Sequence, residues 1–292
     1  MTTALRHQRT LARPCSIAGF GYWSGRDVEV EFRPAPENSG VVFVRRDLDR
    51  PRRIPADVRR RIEVPRRTTL AGDGTQVEMV EHVLAALYGL GIDNCEVWVN
   101  GSELPGLDGS AKPLFEALDT AGTVEQPARR HRLTICDVTR VGDDDTWVEA
   151  RPSKGGALTI KYRLDYGNDN AIGRQTIELN VTEKSFREDL APARTFILAE
   201  EAAWLRERGL GQRVTSKDLL VFGPEGPENN ELRMENECVR HKALDLIGDL
   251  ALAGCELVGY FIAHKSGHRL NAELVKALLS EGQIEEGLRR TA

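Results

Sequence analysis

The stretch Val239-Arg240-His241-Lys242-Ala243-Leu244-Asp245-Leu246-Ile247-Gly248-Asp249-Leu250 reads as a helix whose covered side carries charge. Apolar residues recur three and four positions apart, the period of a helix with a buried face. His241, Asp245 and Asp249 follow one another at four-residue steps, so they share one face, each a turn from the next. Much earlier, His82-Val83-Leu84-Ala85-Ala86-Leu87-Tyr88-Gly89 is similar to the segment that starts at His241. At nearly the same distance each is followed by a strand opening Cys-Glu-aliphatic, Cys95-Glu96-Val97 and Cys255-Glu256-Leu257. A duplicated α+β unit accounts for this better than chance does. Each copy then presents one histidine, and a site between the copies could collect both.

Working outward, Asp27 to Phe32 and Gly40 to Val44 alternate as strands, and Val80 to Leu90 has the helical period. Gly91-Ile92-Asp93-Asn94 ends that helix and Cys95 to Val99 reads as a buried strand. Asp108-Gly109-Ser110 is a turn before a helix from Pro113 to Ala121. Pro127 with Arg129 to Arg132 reads as a linker, dividing the chain into domains 1–127 and 128–292. In the second half, strands are expected at Leu133 to Val138, Thr146 to Ala150, Leu158 to Leu164, Gln175 to Val181 and Glu256 to Ile262. Helices are expected at Ala199 to Arg208, about Glu235 to Leu252, and Asn271 to Leu279, with Lys265-Ser266-Gly267-His268 as a loop.

Composition sets the outer limits. About 40% of the 292 residues are apolar, so a conventional core is available. The net charge of −5 argues against nucleic acid as a partner, and the runs Arg59-Arg60-Arg61 and Arg129-Arg130 read as solvated faces. Cys15, Cys95, Cys136, Cys238 and Cys255 are odd in number, scattered and without a CxxC pair. They are expected to be reduced thiols of a cytosolic protein, neither a disulfide framework nor a cysteine metal site. The start of the chain has no apolar stretch of the signal-peptide kind, and no apolar run nears the roughly 20 residues that span a bilayer.

The spacing His241-x-x-x-Asp245 suits two ligands to one metal, or a hydrogen-bonded pair on an open surface. Leu244, Leu246 and Ile247 make the helix largely apolar, and unpaired charge in such surroundings is costly, so partners or a metal are expected. The repeat offers His82 as a third ligand. Three nitrogen and oxygen ligands with a fourth position open is the pattern of catalytic zinc, which acidifies water and polarises a carbonyl. Glu81, next to His82, is the natural base, although this is not the HExxH signature. His268 is either an idle loop histidine or a general acid kept charged by Asp249. His131 and His7 are given no role, and His264 is left open.

Together these segments resemble the UDP-3-O-acyl-N-acetylglucosamine deacetylases of Gram-negative bacteria. The resemblance runs through Gln8-Arg9-Thr10-Leu11, Arg33-Pro34-Ala35-Pro36, Val80-Glu81-His82, Gly89-Leu90-Gly91-Ile92-Asp93-Asn94 and Asp108-Gly109-Ser110-Ala111. It continues in Ala171-Ile172-Gly173-Arg174-Gln175, Ala193-Arg194-Thr195-Phe196, Val239 to Leu250, and Lys265-Ser266-Gly267-His268. It implies an α+β fold of two similar domains whose sheets sandwich their helices, with the active site at the junction. It implies that His82, His241 and Asp245 bind one Zn2+, that Glu81 is the general base, and that His268 is the protonated partner supported by Asp249. Thr195 would polarise the acetyl carbonyl, Lys242 would contact polar groups of the substrate, and Tyr166 would stack on uracil. Residues from about Phe196 to Phe222 would form an apolar passage for the acyl chain, and Phe196, Ile197, Leu198, Trp204 and Leu205 are apolar enough for it. The chain departs from the family pattern at Trp23, where histidine is usual, at Arg213-Val214-Thr215-Ser216, and at Cys238, where phenylalanine is common.

The implied enzyme is a cytoplasmic monomer acting on a UDP-linked acylated glucosamine, with no integral membrane segment and with a peripheral position at the inner membrane open to it. The ligand set suits Fe2+ as well as zinc. Two rivals keep the fold: a deacylase of another N-acylated nucleotide sugar, and a catalytically silent paralogue that binds a nucleotide sugar or a partner protein. The second must treat the full set of chemical residues as coincidence, and so must a purely structural α+β protein.

Overall fold

A computed structural model of the chain describes residues 4–281 and 284–285. Its helices of nine residues or more are α1 (Glu81–Gly89), α2 (Lys112–Ala121), α3 (Ala199–Glu207), α4 (Glu237–Leu250) and α5 (His268–Glu281). The first half builds a sheet in the order Cys15–Phe20, Asp27–Pro34, Cys95–Val99, Val41–Arg45, Arg52–Pro55. Its middle strand, Cys95–Val99, runs antiparallel to Asp27–Pro34 and parallel to Val41–Arg45. In the second half Glu256–His264 takes the middle place, antiparallel to Trp147–Arg151 and parallel to Leu158–Asp165. Those two flanking strands pair outward with Thr139–Gly142 and Arg174–Asn180, as Asp27–Pro34 and Val41–Arg45 pair with Cys15–Phe20 and Arg52–Pro55.

Both halves therefore run hairpin, hairpin, helix, middle strand, helix. Each also carries an insertion at the same point, between the second hairpin and the first long helix. In the first half it is the small sheet of Arg61–Ile62, Thr69–Gly72 and Thr75–Glu78. In the second it is Phe196–Leu198, α3, Leu220–Gly223 and Gly226–Pro227. The duplication expected from the two histidine segments is present in the pairing itself.

Helices α1 and α4 pack on each other at the centre of the fold. All of α1 except Tyr88 is buried, and all of α4 except Arg240 and Lys242. A helix covered all round must have partners on both sides. Phe32 and Phe43 enter this core from the first half, and Tyr162 and Phe261 from the second, each with no exposed surface. Contact between α1 and α4 depends on Gly248: a Cβ there would lie 2.1 Å from the Glu81 carbonyl oxygen. Only a residue without a side chain lets the two backbones come so close.

Four expectations need correction. Pro127 with Arg129 to Arg132 is no free linker: Arg132 opens a strand paired with Glu256–His264, and Thr123–Arg129 is a strand antiparallel to His7–Leu11. Its polar, alternating sequence reads as linker because one face is solvated. Leu133 to Val138 is not one strand, since only Arg132–Thr134 pairs, in parallel, with the middle strand and Thr139–Gly142 starts another; Ile135 packs against Gly259. In the run Arg59-Arg60-Arg61 the first two are exposed, but the Arg61 side chain is 5% exposed. His268 opens α5 rather than sitting in a loop.

Candidate active site

Glu81 and His82 stand at the first turn of α1, and His241 and Asp245 lie one turn apart on α4. Close approach of the two helices brings one ligand atom from each of His82, His241 and Asp245 within 4.8 Å of the others. Asp245 Oδ1 is 3.3 Å from His241 Nε2 and 3.6 Å from His82 Nε2. Neither contact has hydrogen-bond geometry, and this buried oxygen has no partner. An orphaned carboxylate oxygen facing two imidazole nitrogens is costly unless a cation lies between them. The donor set and its spacing fit a divalent metal, and the open-surface reading of His241 and Asp245 is excluded by their burial.

Neighbouring groups prepare two of the three ligands, His241 and Asp245. Burial lowers the His241 pKa to about 4, so its ring is neutral. Its Nδ1 donates to the Ala193 carbonyl at 3.0 Å, which leaves the Nε2 lone pair facing the other ligands. Burial alone would raise the Asp245 carboxyl, but the Lys242 ammonium holds it well below the usual carboxylate range. Lys242 donates to Asp245 Oδ2 at 2.8 Å; burial disfavours its charge, and Asp245 more than offsets that.

The segment Ala193-Arg194-Thr195-Phe196 is fixed by a buried ion pair. Arg194 Nε is 2.8 Å from Glu237 Oε1, with side chains 5% and 0% exposed, and Arg194 also donates to Asn230 and to the Glu231 carbonyl. Thr195 N–H donates to Gly109 O at 2.7 Å. Gly109 has φ 82°, and a Cβ there would lie 2.5 Å from the Asp218 carbonyl oxygen, which gives the Asp108-Gly109-Ser110 turn its reason. Thr195 thereby lines the same cleft as the ligands.

Glu81 Oε2 accepts the Thr68 backbone N–H at 3.0 Å, and Oε1 is 4.0 Å from His268 Nε2. Burial raises the Glu81 carboxyl, against the pull of the His268 imidazolium. His268 Nδ1 donates to Asp249 Oδ2 at 2.9 Å. Burial would lower the pKa of His268, but Asp249 and Glu81 more than offset it and raise it to about 9. His268 is thus charged at neutral pH, with Nε2 turned toward Glu81. Asn271 Nδ2 also donates to Asp249 Oδ2, at 2.8 Å. Asn271 and Thr68 were not singled out from sequence. Asn271 could have been, because it follows His268 by three residues on one helix; nothing in the sequence marks Thr68.

Glu81, His268 and the three ligands open into a cleft of about 670 Å3. Tyr166, 38% exposed, meets Phe196 edge-on at 6.0 Å, and Phe196 meets His241 at 6.5 Å. Ile197, Leu205, Leu210, Val214 and Val221 line its apolar part. Trp23 also lines it; its backbone N–H donates to Glu103 and Arg67 stacks on its ring at 4.5 Å. Arg213 ties the insertion to the first half through Asp27 at 2.6 Å and the ring of Phe20 at 4.3 Å. Cys238 is buried and its thiol is pushed up to about 12, so it stays protonated at neutral pH. His264 packs beside Trp147 and does not line the cleft. Among the described residues no helix is long and apolar enough to cross a membrane.

Comparison with known proteins agrees in extent as well as kind. Residues 8–280 match the family model described as LpxC, UDP-3-O-acyl N-acetylglycosamine deacetylase. The chain is 38% identical over 282 residues to the UDP-3-O-acyl-N-acetylglucosamine deacetylase of Shewanella baltica (strain OS155), covering 94% of this chain and 90% of that one. The proteins of the same description from Shewanella sp. (strain ANA-3) and Shewanella oneidensis are each 37% identical with the same coverage.

Proposed function

The chain belongs to the UDP-3-O-acyl-N-acetylglucosamine deacetylase family, and from there we propose that it hydrolyses the N-acetyl group of UDP-3-O-(3-hydroxyacyl)-N-acetylglucosamine to the free amine and acetate. This is the step that commits the nucleotide sugar to lipid A. The observation that carries the reading is the buried His82, His241 and Asp245 set with a charged histidine and a buried carboxylate beside it. Zinc is the metal assigned to the three ligands; when bound it would acidify water and polarise the acetyl carbonyl.

The chain's own groups then have distinct tasks. Glu81 takes a proton from the attacking water, a role that its burial and raised pKa favour. The Thr195 hydroxyl donates to the acetyl oxygen as negative charge builds there. His268, charged and held through Nδ1 by Asp249, delivers the Nε2 proton to the departing glucosamine nitrogen. Lys242 stays charged on Asp245 and reaches polar groups of the substrate. Tyr166, backed edge-on by Phe196, takes the uracil, and the apolar wall from Ile197 to Val221 takes the acyl chain. The domains assigned are 1–127 and 128–292, with the passage insertion at about 196–222. The same reading makes the protein a cytoplasmic monomer that meets its acylated substrate at the inner membrane surface.

The test is acetate release from UDP-3-O-(3-hydroxymyristoyl)-N-acetylglucosamine before metal stripping, after it, and after zinc return. Activity lost on stripping and restored by one zinc per chain is expected. Glu81→Ala should be folded, zinc-loaded and at least about a hundredfold slower, the scale of a lost general base. Normal turnover by that variant removes Glu81 from the chemistry. Silence of the zinc-loaded wild type across a panel of acyl lengths would sink the deacetylase reading.

A further inference from the structure

Thr68 has no exposed surface and meets both proton-handling groups. Its backbone N–H donates to Glu81 Oε2 at 3.0 Å, and its hydroxyl donates to Asp249 Oδ1 at 2.5 Å. The same hydroxyl oxygen is 3.1 Å from His268 Nδ1. A hydroxyl has one proton, and here it goes to Asp249, because His268 Nδ1–H is itself a donor to Asp249 Oδ2. Asp249 thus takes three donors: Thr68 on one oxygen, His268 and Asn271 on the other. Asn271 is in turn fixed by Ser266, whose hydroxyl donates to Asn271 Oδ1 at 2.9 Å.

We propose that Thr68 is a positioning residue for the reaction, setting the Glu81 carboxylate with its amide and the Asp249–His268 pair with its hydroxyl. This rests on the roles assigned above to Glu81 and His268. Thr68 comes from the insertion of the first half, whereas Asp249, His268 and Asn271 come from the second. One residue therefore fixes the separation of base and acid across the two halves. Without the hydroxyl, Asp249 Oδ1 loses its donor, and the carboxylate can rotate about its held oxygen. The imidazole bonded to it would tilt, moving Nε2 away from the line to the leaving nitrogen. Small misplacements of this kind cost rate with little effect on binding.

Thr68→Val keeps the shape and the amide and deletes only the hydroxyl. The expected result is a kcat lowered about ten- to a hundredfold, the loss of one hydrogen bond to a charged group. KM and zinc content should stay at wild-type values, and Thr68→Ser should recover most of the rate. If Thr68→Val fails to fold, Thr68→Ala reads the same loss. A wild-type kcat in the folded variant overturns the proposal. So does a rate loss accompanied by lost zinc, which would make Thr68 a support of the metal ligands. Glu81→Ala and His268→Ala are assayed beside it. Normal turnover by those two would topple the assigned roles, whereas their failure with an unaffected Thr68→Val would topple the Thr68 proposal alone.

Discussion

At the scale of residues, the least expected fact is that a histidine at the first position of a helix is charged. The positive end of the α5 dipole works against that charge, and so does burial. Asp249, held by three donors, and Glu81 together outweigh both. With a folded pKa of about 9 against the ordinary 6.5, folding takes up a proton between those values. The stabilisation from the His268–Asp249 pair is then complete below about pH 6.5 and drains away as pH rises through 9. The difference in Tm between wild type and His268→Gln should accordingly shrink from pH 6 to pH 9. kcat/KM should fall on the basic side with an apparent pKa near 9, as the donor proton is lost. A Tm difference that is flat in pH would mean that the pair is not charged in the folded state. The sequence could suggest His268 and Asp249 as partners, because both belong to recognisable segments. It could not reveal Thr68, whose role comes from a hairpin folding back onto α1 and the far end of α4.

At the scale of elements, the face of α4 was readable because His241, Asp245 and Asp249 stand at one-turn intervals among apolar neighbours. Its packing partner was readable only through the repeat. What no periodicity gives is the distance between the two helices, and that is decided by Gly248. A methyl group at this position would press on the Glu81 backbone, which carries both the proposed base and, one residue on, His82. Gly248→Ala should therefore cost about 1–3 kcal/mol of stability, the usual penalty of overpacking. The same displacement spreads the ligand set, so zinc affinity and kcat should fall together. Titration with a chelator and a denaturant curve on the same preparation would measure both. Stability lost with zinc affinity intact would show that α1 yields elsewhere and that Gly248 serves packing alone. The short strands were harder to read from sequence. Thr123–Arg129 is polar and contains proline, so its pairing with His7–Leu11 depends on a partner more than a hundred residues away.

At the scale of the molecule, the duplication is the feature the sequence declared most clearly, since two similar helices led into two similar strands. The structure extends it to strand order, strand direction and the place of both insertions. Neither half contains a complete site. Glu81, His82 and Thr68 lie in the first, and His241, Asp245, Asp249 and His268 in the second. A metal on the three ligands would therefore tie α1 to α4 and add its binding free energy to the stability of the whole. At a free zinc concentration a hundredfold above Kd the gain is about 2.7 kcal/mol. Thermal unfolding should show a Tm that rises with zinc and falls on stripping in wild type. His82→Ala and Asp245→Ala should each lose most of that response, because each removes a ligand from a different half. The arms separate two mechanisms. If only Asp245→Ala lost the zinc response, the metal would be held within α4 and would not bridge the halves. Equal loss in both variants is what a cross-domain clamp requires, and it would explain why a hydrolase of this fold needs two copies of the unit to make one site.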